Sequence, residues 1–234
     1  MPDEKVLHVA ILIWGCVFCA IAALCIFLSS NYDREKRRYL ILMESFASLL
    51  LLMDAMAHIF SGYPGVPGSV MVCISSFLVF LLSDVFLLCF HIYVCVYLFS
   101  KKERRTLKRV KAGYVIAAAG AAFVVISQFT HWYYYIDGDN CYHRAPLYIM
   151  SILLPAAGLL LDLTLLLQYK KRVSRKLLFS MLSCVVLPAV AAAVQAFWYG
   201  MSLIEFSVGI SMIIMFIVTM TEPNQEMYQL ISRE

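Results

Sequence analysis

The sequence predicts an all-α integral membrane protein with seven transmembrane helices, its N-terminus outside the cell and its C-terminus in the cytoplasm. Three observations predict this class. Hydrophobic residues make up 62% of the 234 residues and charged residues only 15%, whereas about a quarter of a soluble domain is charged. The apolar residues form seven long runs, which is typical of a chain whose solvent is a bilayer. Nearly all lysines and arginines lie in alternate connectors between those runs.

Each apolar run is long enough to cross ~30 Å of hydrocarbon at ~1.5 Å per residue. The third run is longer than this requires, so we expect it to tilt or to protrude. Residues 1–221 are the predicted seven-helix transmembrane domain, and residues 222–234 a cytoplasmic exit helix or linker. A break of the last span is predicted at Glu222-Pro223-Asn224-Gln225. The predicted spans are about 6–30, 39–62, 69–99, 112–136, 146–169, 177–199 and 201–221.

The distribution of basic residues predicts the orientation. Apart from Lys5 and Arg144, every lysine and arginine lies in the connectors 31–38, 100–111 and 170–176 or in the C-terminal tail. Because cytoplasmic loops carry an excess of lysine and arginine, these connectors are placed inside the cell. Topology and anionic lipid explain the basic connectors, so the lipid bilayer is the expected partner and nucleic acid is not.

The motifs of several function classes are missing. There is no G-x-S-x-G, no phosphate-binding glycine loop and no H-E-x-x-H, so no catalytic residue, cofactor or enzymatic activity is predicted for this chain. No lysine lies within a span, which excludes a retinal Schiff base. Cys16 and Cys19 form a C-x-x-C pair without a second pair or a nearby histidine, so no metal site is predicted either.

The longest break in apolar sequence on the predicted outer side is QFTHWYYYIDGDNCYHRAP (128–146). We expect it to form the outer face of a ligand-binding site. Its tyrosines also fit an interfacial aromatic belt, together with Trp198 and Tyr199. The turn at Asp137 resembles the start of a calcium loop but lacks the later ligands. A disulfide between Cys73 and Cys141 would tie this stretch to the third helix.

Five acids lie within the predicted spans, where no lysine or arginine accompanies them. An ionisable group at membrane depth must be neutral, paired, or in contact with water or a ligand. The polar residues predicted in the outer half of the bilayer favour a cavity that opens outward beneath residues 128–146. The alternative is that these residues form hydrogen bonds that only fix helix packing. The five acids are Glu44, Asp54, Asp84, Asp162 and Glu205. The outer polar set is Asp54, His58, Gln128, His131, Gln195 and Glu205.

Prolines interrupt several of the spans. Pro155 and Pro188 lie near the middle of the fifth and sixth spans, where kinks serve as pivots or only shape packing. Pro223 follows the seventh span. Pro188 and Pro223 are therefore the candidate residues for signal transmission.

Four segments resemble one family, the seven-helix N-terminal membrane region of bacterial sensor proteins of Firmicutes. In that family the region precedes a histidine kinase or a diguanylate cyclase. The most specific part is a D-x-x-N-x-Y-x-R type motif, matched by Asp137, Asn140, Tyr142 and Arg144, with the acid of the second helix matched by Asp54. The segments are REKRRYLILMESFASLLLLMDAMAHIFSGYPG (34–65), SSFLVFLLSDVFLLCFHIYVCVYLF (75–99), YYYIDGDNCYHRAPLYIMSILLP (133–155) and ISMIIMFIVTMTEPNQE (210–226).

The resemblance implies an input module in the plasma membrane that responds to an extracytoplasmic or membrane signal. It implies a small-molecule or peptide ligand, a cytoplasmic output driven by the last helix, and a homodimer formed through the exit helix. No phosphoacceptor, ATP-binding or cyclase motif is present, so the chain is expected to signal only through such an output. The alternatives are a small proton-coupled carrier that uses the buried acids as relays, and a structural membrane subunit. Against the carrier, the two halves show no clear internal repeat.

Overall fold

Seven helices in the computed structural model are long and apolar enough to cross a membrane, which agrees with the predicted all-α class and number of spans. The structure describes residues 2–29, 33–197 and 202–231. A short helix and a two-stranded antiparallel hairpin accompany the seven long helices. The elements are α1 (Pro2–Leu28), α2 (Arg34–Phe60), α3 (Val66–Leu98), α4 (Lys101–Thr106), α5 (Lys108–Thr130), β1 (Tyr134–Ile136), β2 (Tyr142–Arg144), α6 (Met150–Gln168), α7 (Arg175–Phe197) and α8 (Leu203–Ile231).

Side chains cap free backbone N–H groups where α2 and α4 begin. The Asp33 carboxylate accepts hydrogen bonds from the backbone of Glu35 and Lys36 at the start of α2. Ser100 and Glu103 form a reciprocal capping box at the start of α4. Because the first N–H groups of a helix lack helical partners, such caps fix where a helix begins.

The helix that was predicted over 112–136 ends earlier, at Thr130. His131 adopts a left-handed conformation with φ of 52°, and its N–H bonds to Ser127. A left-handed residue ends a helix, and the chain turns back into β1. The predicted span therefore included six residues that form the turn and β1, and the next helix begins at Met150 rather than near 146.

The predicted break in the last span is wrong, because α8 continues as a helix to Ile231. A proline removes one helical hydrogen bond but leaves the neighbouring turns in place, so the backbone passes through position 223 without a break. Pro155 and Pro188 likewise lie inside α6 and α7. Trp198 and Tyr199 lie outside the described residues.

The long helices form a closed ring in chain order. Each packs against the next, α8 returns to pack against α1, and α2 and α8 also meet directly. The main apolar core lies along α1, α2, α3, α7 and α8, with Leu50, Leu51, Phe90 and Met212 almost fully buried. The faces of α1 and α6 that point away from this core are exposed and apolar, as expected for surfaces in contact with lipid.

The two ends of the bundle differ in charge. The "hairpin end" holds β1, β2 and the α2–α3 turn. The opposite, "basic end" holds the α1–α2, α3–α5 and α6–α7 connectors. Arginines of these connectors bind neighbouring segments: Arg104 pairs with Glu35 at 3.0 Å, and Arg172 donates to the Leu98 carbonyl at 2.8 Å. The basic connectors that predict a cytoplasmic side thus lie together.

Helices α3 and α5 approach closely where glycines of α5 face polar side chains of α3. A Cβ at Gly120 would lie 2.7 Å from Oδ1 of Asp84, and a Cβ at Gly113 would overlap the His91 ring. Small residues at such crossings let two helix backbones come together in a membrane. The glycines therefore make room for two buried ionisable groups.

We predict that Gly120→Ala lowers stability by about 1–3 kcal/mol, the usual cost of an extra methyl group in a packed interior. In thermal unfolding of detergent-solubilised protein, this corresponds to a fall of about 2–4 °C per kcal/mol. Gly209→Ala is the control, because its Cβ would meet Leu51 at an ordinary 3.5 Å. An unchanged midpoint for Gly120→Ala would mean that α3 and α5 are not this close.

Candidate functional site

Asp137 organises the hairpin from within. Its Oδ1 accepts the backbone N–H groups of Asp139 and Cys141 at 3.0 and 2.8 Å, and its Oδ2 lies 2.7 Å from Nε2 of His143. The hydrogen bond from Cys141, followed by that from His143, holds the pKa of Asp137 below its usual value. This carboxylate is therefore occupied by the turn that it shapes.

Asn140 and Arg144 dock the hairpin onto the helices. Asn140 has a positive φ of 59° and donates through Nδ2 to the carbonyls of Tyr63 and Gly65 at 2.9 and 3.2 Å. Arg144 donates to the Gln195 carbonyl of α7 at 3.4 Å, and its guanidinium lies over the Tyr148 ring. The hairpin thus bridges the α2–α3 turn to the end of α7.

An aromatic stack fixes the inner face of the hairpin. The ring of Tyr134 stacks on Phe80 of α3 on one side and on Tyr142 on the other, at 5.5 and 5.4 Å between centroids. Burial raises the pKa of Tyr134 to about 12, and its hydroxyl donates to Gln128. Tyr135 is exposed and stacks on His143. The tyrosine run therefore divides into core and surface residues.

The four residues of the D-x-x-N-x-Y-x-R type motif all make contacts that build or dock the hairpin. Ligand binding by Asp137, Asn140, Tyr142 and Arg144 remains a prediction, and any ligand would have to share these groups. The disulfide considered between Cys73 and Cys141 is absent, since both thiols are free. The Cys141 sulfur contacts the Asp139 carbonyl at 3.8 Å instead.

A second group of polar residues lies at the hairpin end where α1, α2 and α8 meet. His8, Asp54 and His58, called here the histidine cluster, each offer a ligand atom within 4.8 Å of the other two. Asp54 Oδ1 lies 3.7 Å from His58 Nε2, and the His8 and His58 rings meet edge to face at 4.5 Å. The i, i+4 spacing on α2 places Asp54 and His58 on one face.

The start of α8 closes this cluster. Ser202 Oγ shares a 3.0 Å hydrogen bond with His58 Nε2, and Phe206 packs on the His8 ring. Glu205 is buried close enough to Asp54 for their carboxyl groups to interact electrostatically. The side chain of Gln195 accepts the N–H of Ile204 at 2.9 Å and so caps the first turn.

Several polar atoms of this region have no hydrogen-bond partner among the described residues. They include both ring nitrogens of His8, which is 7% exposed, as well as Asp54 Oδ2 and Glu205 Oε2. A buried polar atom without a partner costs free energy. In a native structure such groups usually point to an ion, a water or a proton.

The predicted outer set is therefore divided by the structure. Asp54, His58, Gln195 and Glu205 do come together, whereas Gln128 bonds to Tyr134 and His131 is an exposed residue at the end of α5. His8 was not among the site residues predicted from the sequence. His8 lies near the start of α1, at the same depth as the end of α2, and this shared depth could have indicated that it belongs with Asp54 and His58.

The cavities between the helices are small. One of about 20 Å³ lies beneath the hairpin and is lined by Asp84, Gly120 and Tyr133, among others. Another of about 10 Å³ lies near His91 and Asp162. Each is about the size of one water molecule. The outward-opening cavity beneath residues 128–146 remains a prediction, and the space found beneath the hairpin has a volume of about 20 Å³.

The His91–Asp162 pair joins α3 to α6 within the bundle. Nδ1 of His91 lies 2.6 Å from Asp162 Oδ1, and Nε2 lies 3.0 Å from the Val110 carbonyl of α5. Because a carbonyl only accepts, Nε2 carries a hydrogen. The imidazole therefore connects three helices, which fits the packing role considered for the buried polar groups.

Comparison of the chain with protein-family models, with curated proteins and with solved structures gives no match. The fold and site define a seven-helix protein of membrane-spanning composition with an ionisable cluster at one end.

We predict that acid loosens the hairpin through Asp137. The pKa of Asp137 is lower in the folded than in the unfolded protein. The carboxylate therefore stabilises the fold fully above the unfolded-state pKa of ~3.9, and this stabilisation is lost as the pH falls through the folded-state pKa. Hydrogen exchange of residues 134–144, corrected for intrinsic rates, should accelerate below about pH 4.

Asp137→Asn should make this exchange fast already at neutral pH, with little further change in acid. Asp139→Asn is the matched control, because this neighbouring side chain is exposed and shapes no turn. Equal protection in wild type and Asp137→Asn at pH 7 would refute the role of the carboxylate.

Proposed function

We infer that the chain is a sensory input module of the plasma membrane, with the hairpin end outside the cell and the basic end in the cytoplasm. A signal at the hairpin end changes the position of α8, which passes the change to a cytoplasmic output such as a histidine kinase or a diguanylate cyclase. The observation that carries this proposal is the buried histidine cluster at the first turn of α8.

The contacts of α8 support its role as the transmitting element. Ser202, Glu205 and Phe206, all near its beginning, touch or face the histidine cluster. The helix then runs beyond its apolar span, Leu203–Thr221, and continues to Ile231 at the basic end. One continuous helix therefore joins the proposed input to the segment that would enter an output domain.

The packing of α8 against α7 permits a change of position. Ser211 Oγ donates to the Ser183 carbonyl at 3.1 Å, and Ser180 Oγ lies 3.3 Å from the Met215 sulfur. Small residues let two membrane helices approach closely, and a flexible methionine side chain adapts to altered packing. Sliding of packed helices is one recurring form of switching. Pro188, on the same helix α7, remains a candidate pivot.

The small cavities favour a small stimulus. Spaces of about 20 and 10 Å³ do not hold an organic ligand, whose pockets measure about 300–1,000 Å³. An ion or a proton at the histidine cluster needs no such space. A larger ligand would have to bind to the outer surface of the hairpin or to a different conformation.

A proton-coupled carrier is the second candidate, and one observation favours it. Buried ionisable groups occur at successive depths, from Glu205 and Asp54 through Asp84 to the His91–Asp162 pair. Such a series is typical of proton relays. The carrier predicts proton flux into liposomes that Asp84→Asn abolishes, whereas a sensor predicts no flux.

We predict that Asp54→Asn changes the basal activity of a fusion between this chain and the cytoplasmic region of a histidine kinase. The substitution keeps the size of the side chain but replaces the ionisable carboxyl group beside Glu205 and His58 with a neutral amide, so the balance between positions of α8 should shift. Autophosphorylation in membrane vesicles is expected to change at least about tenfold, or ~1.4 kcal/mol of coupling. The control is Asp139→Asn on the exposed turn.

The proposal would be contradicted if fusions that carry Asp54→Asn or Glu205→Gln showed the same autophosphorylation as the wild-type fusion at equal membrane levels. Proton flux by the same protein in liposomes would then favour the carrier.

We also predict that signalling depends on the rotational phase of α8. One residue inserted after Ile231, the last residue of α8, turns a following helix by ~100°, whereas seven residues return it to within ~20° of its original phase. The one-residue insertion should alter autophosphorylation, and the seven-residue insertion should restore it. Equal activity of both would show that the output does not read the orientation of this helix.

A further inference from the structure

We propose that His8, Asp54 and His58 bind a divalent transition-metal ion at the hairpin end of the bundle. The inference deepens the proposed function, on which it rests for its consequence, by naming the class of ligand that the histidine cluster takes. Binding of the metal can be measured without any signalling output.

The geometry of the cluster suits a metal ion after small side-chain movements. In a tetrahedral zinc site, bonds of ~2.0–2.2 Å place ligand atoms ~3.3–3.6 Å apart. Asp54 Oδ1 and His58 Nε2 are already 3.7 Å apart, and the ligand atoms of all three residues lie within 4.8 Å of one another. The three residues come from two helices, so a shift of α1 against α2 completes the set.

The unpartnered atoms are the second and independent observation. His8 is more than nine-tenths buried, yet neither ring nitrogen has a partner among the described residues, and the same holds for Asp54 Oδ2. His58 Nε2 is held by Ser202 Oγ. A metal would convert the nitrogen of His8 and the oxygen of Asp54 from unsatisfied groups into ligands.

The chemistry of the ligand atoms selects the class of ion. Imidazole nitrogens suit zinc, copper and nickel, whereas magnesium and calcium prefer sites made of oxygen ligands. Two histidines and one carboxylate resemble the protein ligands of zinc sites that keep a further position for water. Glu205 is close enough to contribute negative charge, so a divalent cation beside both carboxylates would be neutralised.

Two cationic side chains interact with buried groups of this region. Lys5, on the first turns of α1, is exposed, donates to the Ser61 carbonyl at 3.2 Å and interacts electrostatically with His58. Arg144 of the hairpin interacts electrostatically with Glu205. These two cations oppose cation entry, so we expect moderate affinity and an increase in affinity for Lys5→Gln.

The test measures Zn²⁺ binding to the full, tag-free chain in detergent by competition with a chromogenic chelator. The expected result is one saturable Zn²⁺ site of moderate affinity per chain, with no comparable binding of Mg²⁺ or Ca²⁺. His8→Gln, His58→Gln and Asp54→Asn should each weaken binding by more than about 100-fold, because the loss of an outer-shell partner alone costs about 10–100-fold.

The matched controls are His131→Gln and His143→Gln, which remove histidines that lie near the same end but outside the cluster. Both should bind Zn²⁺ like the wild type. Thermal unfolding without metal checks that the cluster variants are folded, and Zn²⁺ should raise the midpoint of the wild type but not of these variants. The proposal would be overturned if the control variants lost Zn²⁺ binding while the cluster variants kept it. It would also be overturned if the folded wild-type protein showed no saturable Zn²⁺ binding.

The kinase fusion separates this inference from the proposed function. Zn²⁺ binding by the cluster together with a Zn²⁺-dependent change in autophosphorylation supports both. If the cluster binds Zn²⁺ but no cluster variant changes the autophosphorylation of the fusion, the metal site is supported and the sensory role is contradicted. Absence of Zn²⁺ binding, with altered autophosphorylation in Asp54→Asn, contradicts the metal site alone.

Discussion

The cost of burying ionisable groups in an apolar helix bundle is the constraint on which most of this structure depends. A charge away from water must be paired, neutralised or bound to a ligand. His91 and Asp162 meet the constraint by pairing across α3 and α6. Glu44 is fully buried and has no hydrogen-bond partner among the described residues, so its charged form would be costly. In the histidine cluster Asp54 pairs with His58 at 3.7 Å, but both ring nitrogens of His8 and Asp54 Oδ2 have no partner among the described residues.

The helices were largely predictable because a bilayer requires long apolar runs, and each run is visible in the sequence by itself. Their ends were less predictable, since they depend on single residues. The apolar and aromatic character of Trp132 to Ile136 suggested a longer fourth span, whereas the left-handed His131 ends α5 and Ser127 holds the Tyr133 backbone. Pro223 suggested a break in a helix that continues.

The candidate site was only partly predictable because its residues are far apart in the chain. Spacing identified Asp54 and His58 as a pair, and hydropathy placed Glu205 and Gln195 at the same depth. His8, in contrast, stands alone on α1, and no local pattern links it to α2. The motif from Asp137 to Arg144 was recognisable, but its contacts with Tyr63, Gly65 and Gln195 depend on the docked hairpin. Those contacts explain why the residue types occur together without any ligand.

A ligand at the histidine cluster can act on α8 only through a difference in affinity between two arrangements. Converting a population from 1:99 to 99:1 requires about a 10⁴-fold difference. A cluster made by separate helices can provide such a difference, because His8 on α1 and Asp54 and His58 on α2 bind one ion only when both helices are correctly spaced. Ser202 and Phe206 touch those histidines directly, so the same spacing sets the start of α8. Ligand binding and the position of α8 are then coupled in a single equilibrium. The coupling does not require a chain of residues that extends further through the bundle.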